Sequence, residues 1–186
     1  MLSSVSLVDE ELLLRPFGPG DSTGLYYAVK ESLRELKPWM SWATETYTEI
    51  TAREYITIAS ARWQEHTFHA FAITRAEEIL GACTLSSIHP IYHFCNLGYW
   101  VRTSCHGQGI AGRAAKLAAR FAFESLGLIR VEIVIGVENQ ASLRVAKKIG
   151  AHDEGILLNR MVIGTSIYDA HMYSLLPSDF GLVARL

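Results

Sequence analysis

Apolar residues in the middle of the chain follow first the period of a strand and then that of a helix. Segment 96–101 is rich in β-forming residues, and segment 129–135 alternates before it becomes continuously apolar, so both predict strands. Between them, apolar residues recur at helical spacing from Ile110 to Phe121, which predicts an amphipathic helix that ends at Gly127. The centre of the chain is therefore predicted to be strand, helix, strand.

The flanking regions carry caps, turns and alternations of the same two kinds. The predicted elements are a helix from Asp21 or Ser22 toward Leu36, a helix from the capping box at Thr51 to about Trp63, a hairpin of 68–74 with 79–86 around the turn 75–78, and closing strands at 155–163 and 167–175. This order predicts a mixed α/β (α+β) fold, with one domain over residues 1–186 and helices on both faces of a central, mostly antiparallel mixed sheet.

Composition and charge narrow the classes of protein. The chain has 186 residues, of which 49% are hydrophobic and 19% charged, and its formal net charge is -2. These values are typical of a folded domain and give no electrostatic reason to expect nucleic acid or an anionic membrane as partner. No apolar run approaches a membrane span, and acidic residues stand near the start, so we expect a cytoplasmic protein.

The three cysteines, Cys83, Cys95 and Cys105, have neither an even count nor C-x-x-C spacing. This pattern predicts reduced, semi-buried thiols rather than a disulfide framework, and no metal site.

The segment from His106 to Gly112 carries the most chemistry, because three glycines open the predicted central helix directly after a strand. Glycine allows positive φ and close backbone approach, and the first N–H groups of a helix have no partner within the helix. Together with the helix dipole, these features predict a cradle for a phosphate group.

Two classes of ligand fit such a cradle. Gly107, Gly109 and Gly112 satisfy G-x-G-x-x-G, with Glu132 at the distance of an acidic ribose ligand, which is the pattern of an NAD(P)-binding oxidoreductase. However, residues 102–106 separate the first glycine from the strand, and Glu132 falls inside the next strand rather than at its end. Taken alone, the motif also fits a glycine-rich loop without a ligand.

The following helix decides between these alternatives. Asn139-x-x-Ser142 opens a short helix that ends at Lys148-x-Gly150, and the cradle reads His106-x-x-Gly109-x-Ala111. This arrangement resembles the acyl-CoA core of the GNAT N-acetyltransferases, in which the cradle is written Gln/Arg-x-x-Gly-x-Gly/Ala; His106 departs from the usual first residue.

Three outer segments are similar to the branch of that family that acetylates the N-termini of ribosomal proteins (Rim type). They are residues 12–16 as the first strand, 39–42 as the loop before the second helix, and 168–176 as the last strand.

The resemblance implies a site for acetyl-CoA. The backbone of the cradle would hold the pyrophosphate, the strand after Gly98 would offer its free edge to the pantetheine arm, and Asn139 would bind the end of that arm. Gly98 itself suggests a bulge or a close approach. The implied cosubstrate-binding residues are Tyr99, Trp100, Val101, His106, Gly107, Gln108, Gly109, Ile110, Ala111, Gly112, Asn139 and Ser142.

The resemblance also implies direct acetyl transfer to an amine in a ternary complex. Ser142 would be the general acid in place of the tyrosine of other GNAT enzymes. The preferred acceptor is a protein N-terminal α-amino group, with a small amine such as a polyamine or an antibiotic as the alternative. A homodimer stays open, and so does a non-catalytic CoA-binding module.

Several of these residues also have purely structural interpretations. Asn139 and Ser142 could simply start a helix, and Trp39 and Trp42 fit core packing as well as an acceptor groove. The basic residues of the central helix are expected on a solvated face, with Arg113 the one that could reach a CoA phosphate.

Neither position at which relatives place a general base carries a carboxylate here. One position is Asn96 and the other falls at Asn159, Arg160 or Met161. His171 and Tyr173 alternate along a strand, which favours one half-buried face over a catalytic pair, and His89 and His93 are expected in a loop. The sequence therefore predicts an acceptor amine that needs little help to lose its proton.

Overall fold

The computed structural model describes residues 5–184. Within them, a single sheet of 8 strands has the order β1-β2-β3-β4-β5-β6-β8-β7. The strands are β1 (Leu7–Asp9), β2 (Leu12–Pro16), β3 (His69–Arg75), β4 (Glu78–His89), β5 (Phe94–Val101), β6 (Arg130–Gly136), β7 (His152–Ile163) and β8 (Ser166–Leu175). The helices are α1 (Ser22–Glu31), α2 (Leu33–Leu36), α3 (Glu49–Gln64), α4 (Ile110–Glu124) and α5 (Gln140–Lys148).

All neighbouring strands are antiparallel except β5 and β6, which are parallel. The chain passes between these two strands through α4, since parallel neighbours need a crossover connection. The predicted mixed, mostly antiparallel sheet with helices on both faces is therefore confirmed.

Helices cover the sheet on both sides, and each side has its own apolar core. Successive side chains of β5 and β6 point to opposite faces of the sheet, so neighbouring residues on one strand face different sides. Cys95, Leu97 and Tyr99 of β5 pack with α4 and α5, whereas Trp100 packs with α1 and α3. We call these two sides the α5 face and the α1 face.

The first predicted helix is interrupted at Ser32, which separates α1 from α2. The buried Ser32 hydroxyl donates to Ala28 O at 2.8 Å and accepts from Thr103 N at 3.0 Å. A residue that holds a distant loop thus breaks the helical run. Asp21 is the N-cap residue of α1 as predicted, but its carboxylate binds Arg15 and Gly18 N rather than an N–H group of that helix.

The other boundaries differ by a few residues. The capping residue of helix α3 is Thr48, three residues before the predicted cap at Thr51, because the Thr48 side chain accepts a hydrogen bond from Thr51 N. Helix α4 ends at Glu124, before Gly127. The β3–β4 turn is confirmed and is narrower than predicted, with Ala76 and Glu77 at positive φ. Strand β1 was missed.

No bulge lies at Gly98, which pairs regularly with Thr84. A Cβ atom at this position would lie 3.1 Å from Thr84 Oγ1, so the alternative interpretation, a close approach, is the one observed.

Candidate active site

The central feature of the candidate site is a gap between β5 and β6. Their pairing covers only three residue pairs and ends at Asn96 with Glu132. Beyond this vertex, residues 97–101 of β5 pair only with β4, and residues 133–136 of β6 pair only with β8. The two strands therefore present unpaired edges to each other, and an extended ligand with amide groups can hydrogen-bond there.

The glycine-rich segment lies where β5 leads into α4. Gly107 and Gly109 have φ of 78° and 76°, and a Cβ atom on either would meet nothing within 4 Å. Within residues 5–184, none of the backbone N–H groups of residues 107–112 donates a hydrogen bond. Such a run of free donors at a helix N-terminus, on open backbone, is suited to an anion.

The third glycine also has a packing role. A Cβ atom on Gly112 would lie 3.1 Å from Ile149 Cγ2, so this glycine allows α4 to approach the end of α5. The His106 side chain faces back along the loop, where its Nε2 lies 2.9 Å from Val101 O. His106 can therefore contribute its backbone to the cradle while its ring holds the loop in place.

The loop between β5 and the cradle is fixed by the end of α1. Glu31 accepts hydrogen bonds from the Arg102 guanidinium and, at 2.7 Å, from Ser104 N. The hydrogen bonds from Arg102 and then Ser104 lower the pKa of the Glu31 carboxyl to about 2. Thr103 adds two further contacts, from its N–H to Ser32 Oγ and from its hydroxyl to Glu35 at 3.1 Å.

Arg113 does not point to the cradle. Its guanidinium donates to Asp9 Oδ2 at 2.6 Å and to Glu11 at 3.1 Å, and these bonds fix α4 to the β1–β2 hairpin. The expectation that Arg113 reaches a CoA phosphate is therefore wrong for this arrangement, since two carboxylates already occupy its donors.

The start of α5 lies beside the gap on the α5 face. Asn139 Oδ1 accepts from Ser142 N at 3.1 Å, so Asn139 caps the helix, as its structural interpretation predicted. The half-buried Ser142 follows one turn later, and the Tyr99 hydroxyl of β5 donates to its carbonyl oxygen at 3.3 Å. This contact places Ser142 next to the unpaired edge of β5.

Aromatic side chains line the mouth of the gap on the α1 face. A Cβ atom on Gly136 would lie 3.0 Å from Trp39 Cζ3 and 3.8 Å from Met161 Sδ, so Trp39 packs directly on the backbone of β6. Across the gap, the Trp42 ring lies 6.3 Å from that of Trp100. Trp42 remains 42% exposed, which agrees better with the wall of a groove than with a core position.

Comparison with known proteins identifies the family. Residues 11–152 match the family described as "Acetyltransferase (GNAT) domain". The chain belongs to the GNAT acetyltransferases. It is thus an acetyl-CoA-dependent N-acetyltransferase, and the oxidoreductase alternative is wrong.

Individual relatives cover between half and nearly all of the chain. The ribosomal-protein-serine acetyltransferase of Escherichia coli (strain K12) is 25% identical over 90% of this chain and 93% of its own. The spermidine N(1)-acetyltransferase of the same strain is 27% identical but covers 50% of each chain. The solved structure of RimL, a ribosomal L7/L12 alpha-N-protein acetyltransferase in complex with coenzyme A, has a TM-score of 0.84 at 23% identity over 92% of this chain and 98% of its own.

The two positions expected for a base in this GNAT enzyme contain amides and other non-acidic groups. Asn96 lies at the vertex of the gap, with its Oδ1 buried and without a partner among the described residues. Asn159 has φ of 54°, and its N–H donates to Asp169 Oδ1 at 2.8 Å, while Met161 faces Gly136.

Sequence reasoning missed one residue here. Glu132 was considered only as a ribose ligand, yet its registered pairing puts it directly beside Asn96. A prediction of the parallel register would have been needed to find it.

The contacts of His89 and His171 are with nearby strand and turn residues. His89 is the last residue of β4 and pairs with Phe94, so the prediction of a loop position is wrong for His89, whereas His93 lies in the following turn as predicted. The His89 Nδ1 atom accepts from the N–H groups of Ile91 and Tyr92 in that turn. Tyr173 donates to Asp153 at 2.9 Å, and this bond, after one from Gly155 N, lowers the pKa of Asp153. His171 lies 3.9 Å from Asp153 on the same face, so the pair forms a structural contact between β7 and β8.

Two further observations concern the described residues as a whole. Between residues 5 and 184, no helix is long and apolar enough to cross a membrane. In the same range, no cluster of three His, Cys, Asp or Glu side chains is arranged to hold a metal ion. Cys83 and Cys95 are buried free thiols, and Cys105 is half-buried.

Proposed function

We propose that this GNAT enzyme transfers the acetyl group of acetyl-CoA to the N-terminal α-amino group of a polypeptide, with a ribosomal protein as the preferred class of acceptor. The observation that carries the CoA assignment is that the unpaired edge of β5 leads, through the short loop 102–106, to the free N–H groups of residues 107–112. The free N–H groups can bind an anion, and the strand edge can bind a chain that contains amide groups. CoA has both, a pyrophosphate and a pantetheine arm.

In this proposal, the cradle backbone binds the pyrophosphate, and Tyr99, Trp100 and Val101 hydrogen-bond the pantetheine amides through their main chain. Asn139, the capping residue of α5, binds the end of that arm with the polar groups that the cap leaves free. The Ser142 hydroxyl makes no hydrogen bond within the described residues, so it remains available to protonate the leaving sulfur.

The transfer is direct. The amine nitrogen attacks the thioester carbonyl carbon, the carbon–sulfur bond breaks, and Ser142 passes a proton to the sulfur. General acid catalysis of this kind contributes about 10²- to 10⁴-fold to a rate. Both substrates must be bound together, since no acetylated enzyme group takes part.

One observation and one chemical consideration favour an α-amino acceptor. A relative that covers 90% of this chain and 93% of its own length is named for a ribosomal-protein serine, whereas the spermidine enzyme covers 50% of each chain. In addition, an α-amino group with a pKa of about 7.7 to 8.0 is roughly 10–15% neutral at pH 7, while a lysine-type amine near 10.4 is below about 0.1% neutral.

The test measures acetyl transfer from acetyl-CoA to a panel of amines, with release of the CoA thiol as the signal. The panel contains peptides with N-terminal serine or alanine, the same peptides with a blocked N-terminus and one internal lysine, spermidine and an aminoglycoside. Transfer to the free N-termini is expected. Efficient transfer to spermidine or lysine at pH 7 would contradict the acceptor, and binding of acetyl-CoA without transfer to any amine would leave only the CoA-binding module.

A further inference from the structure

Asn96 and Glu132 form the last registered pair of β5 and β6, at the vertex of the gap. Neighbouring strands lie about 4.8 Å apart, so the two residues are adjacent. Both alternate with residues that pack on the α5 face, namely Cys95, Leu97, Val131 and Ile133, and therefore point to the α1 face. That is the face on which Trp39 and Trp100 line the mouth of the gap.

The vertex also lies where the thioester is expected. The pyrophosphate cradle follows the C-terminal end of β5, so the pantetheine arm runs back from Val101 toward Leu97 along about 13 Å of unpaired strand. Its sulfur end then approaches Asn96 and Glu132. Ser142, the proton donor for the sulfur, lies on the α5 face. The amine would therefore attack from the opposite side, the α1 face.

Two oxygen atoms at the vertex are available to an ammonium group. Arg130 Nε donates to Glu132 Oε1 at 2.9 Å, and Oε2 has no hydrogen-bond partner within residues 5–184. The Glu132 side chain is 17% exposed and can be reached. Asn96 Oδ1 is an acceptor without a donor, which is costly for a buried group unless a ligand supplies one.

The second carboxylate on Arg130 shows the contrast. Glu154 receives Arg130 Nη1 and Nη2 at 2.7 and 2.6 Å on its two oxygens, and Ser174 Oγ at 2.6 Å. The hydrogen bond from Arg130 lowers the pKa of Glu154 to about 2. Glu154 is therefore fully engaged in structure, whereas Glu132 is not.

We propose that Glu132 accepts the proton of the acceptor ammonium group and that Asn96 Oδ1 holds this group beside the thioester. The inference rests on the proposed acetyl transfer. One N–H proton passes to the Glu132 carboxylate, and the neutral nitrogen then forms its bond to the carbonyl carbon. As the carbon–sulfur bond breaks, Ser142 gives its proton to the sulfur, and the second proton lost by the nitrogen restores the Ser142 hydroxyl through solvent. Glu132 then releases its proton to solvent, so one proton is set free per turnover.

Other charged and titratable groups surround this pair. Arg130 lies on the same strand, Cys95 on β5, and His152 and Glu154 on β7 beside Ser174. Burial first, and the charge of Glu132 second, raise the pKa of the Cys95 thiol to about 12, so this thiol stays protonated. His152 is bound to Asp179 at 2.9 Å.

The experiment compares the pH dependence of kcat/KM between pH 6 and 9 for the wild type and Glu132→Gln, with whichever amine of the panel the wild type acetylates fastest. Without the carboxylate, only the neutral amine reacts, so kcat/KM of the variant should rise about tenfold per pH unit up to the pKa of the amine. The pH profile of the wild type should be flatter. The kcat/KM of Glu132→Gln should be about 100-fold below that of the wild type at pH 6 and nearly equal to it at pH 9.

Glu154→Gln is the matched control, because it removes the other carboxylate of Arg130 and should lower the melting temperature without changing the pH profile. Glu132→Asp should recover part of the rate at pH 6. Asn96→Ala, which leaves the Arg130 pair intact, should raise KM for the amine about tenfold with KM for acetyl-CoA unchanged, and it serves as the test should Glu132→Gln not fold.

Asp169 is the competing carboxylate, although it lies on the face of His171 and caps the backbone at Asn159. A steeper pH profile in Asp169→Asn but not in Glu132→Gln would overturn the proposal, and so would parallel profiles of the wild type and Glu132→Gln. A wild type that acetylates none of the amines would overturn both this inference and the proposed function, whereas an active wild type with parallel profiles would overturn only the inference.

Discussion

The hydroxyl of Tyr99 donates a hydrogen bond of 3.3 Å to the backbone carbonyl oxygen of Ser142. This bond joins the unpaired edge of β5 to the first turn of α5 across the gap. Because burial raises the pKa of the Tyr99 phenol, this group stays protonated and remains a donor. The residue proposed to protonate the sulfur is thus held by its main chain, and its hydroxyl remains free.

Ser142→Ala tests that role. If the hydroxyl protonates the leaving sulfur, kcat should fall about 10²- to 10⁴-fold with little change in the affinity for acetyl-CoA. A role limited to starting the helix would cost about 1 kcal/mol of stability and leave kcat unchanged. Steady-state kinetics with a melting curve separates these outcomes. Tyr99→Phe is the companion variant and should lower kcat less, because it removes only the support.

Gly109→Val tests the pyrophosphate cradle. Gly109 is the N-cap of α4 at φ of 76°, a conformation that a β-branched residue strongly disfavours. A side chain there would also enter the open space in front of the free N–H groups. CoA affinity measured by calorimetry should fall at least about tenfold, while the circular dichroism spectrum keeps its helical signal. Normal CoA binding by a folded Gly109→Val protein would exclude the cradle.

The cradle and its neighbours show what sequence can and cannot predict. Helix α4, the flanking strands and Gly109 follow from local periodicity and from the conformational demands of glycine, so they were predicted within a few residues. The role of Gly112 was predicted less well, because its constraint comes from Ile149 on another helix. Thr48 was missed as a cap because Thr51, three residues later, offers a similar local signal.

Contacts over long sequence distance were not predictable in this way. Glu31 binds the loop at Arg102, which is 71 residues away, and nothing in the local sequence connects them. Glu132 and Asn96 come together only through the parallel register of β5 and β6. The site residues within motifs could therefore be predicted from sequence, whereas the residues that support them or oppose them across the gap could not.

Glu31→Gln tests the support of the cradle loop. The pKa of Glu31 is lowered in the folded protein, so its charge stabilises the fold above about pH 4.5, and this contribution is lost as the pH falls toward about 2. At neutral pH the variant should therefore unfold at a lower temperature than the wild type, and the difference should narrow under acidic conditions. KM for acetyl-CoA should rise about threefold or more with kcat nearly unchanged.

Glu154→Gln is again the control for Glu31→Gln, since Arg130 lowers the pKa of Glu154 to the same range far from the cradle. It should reproduce the loss of stability without the change in KM for acetyl-CoA. If Glu31→Gln and Glu154→Gln had the same KM for acetyl-CoA, the loop would keep its position without Glu31.

Gly136→Ala tests the aromatic wall of the acceptor side. The added methyl group would lie 3.0 Å from Trp39 Cζ3, closer than carbon atoms pack, so the indole ring must move away from β6. Since the contact lies on the α1 face, opposite Ser142, KM for the amine should rise about tenfold, whereas KM for acetyl-CoA should stay within about twofold of the wild type. Trp39→Ala should give the same pattern by removing the ring. Should both variants instead weaken acetyl-CoA binding and leave KM for the amine unchanged, Trp39 would belong to the cosubstrate side, and the amine would have to approach from elsewhere.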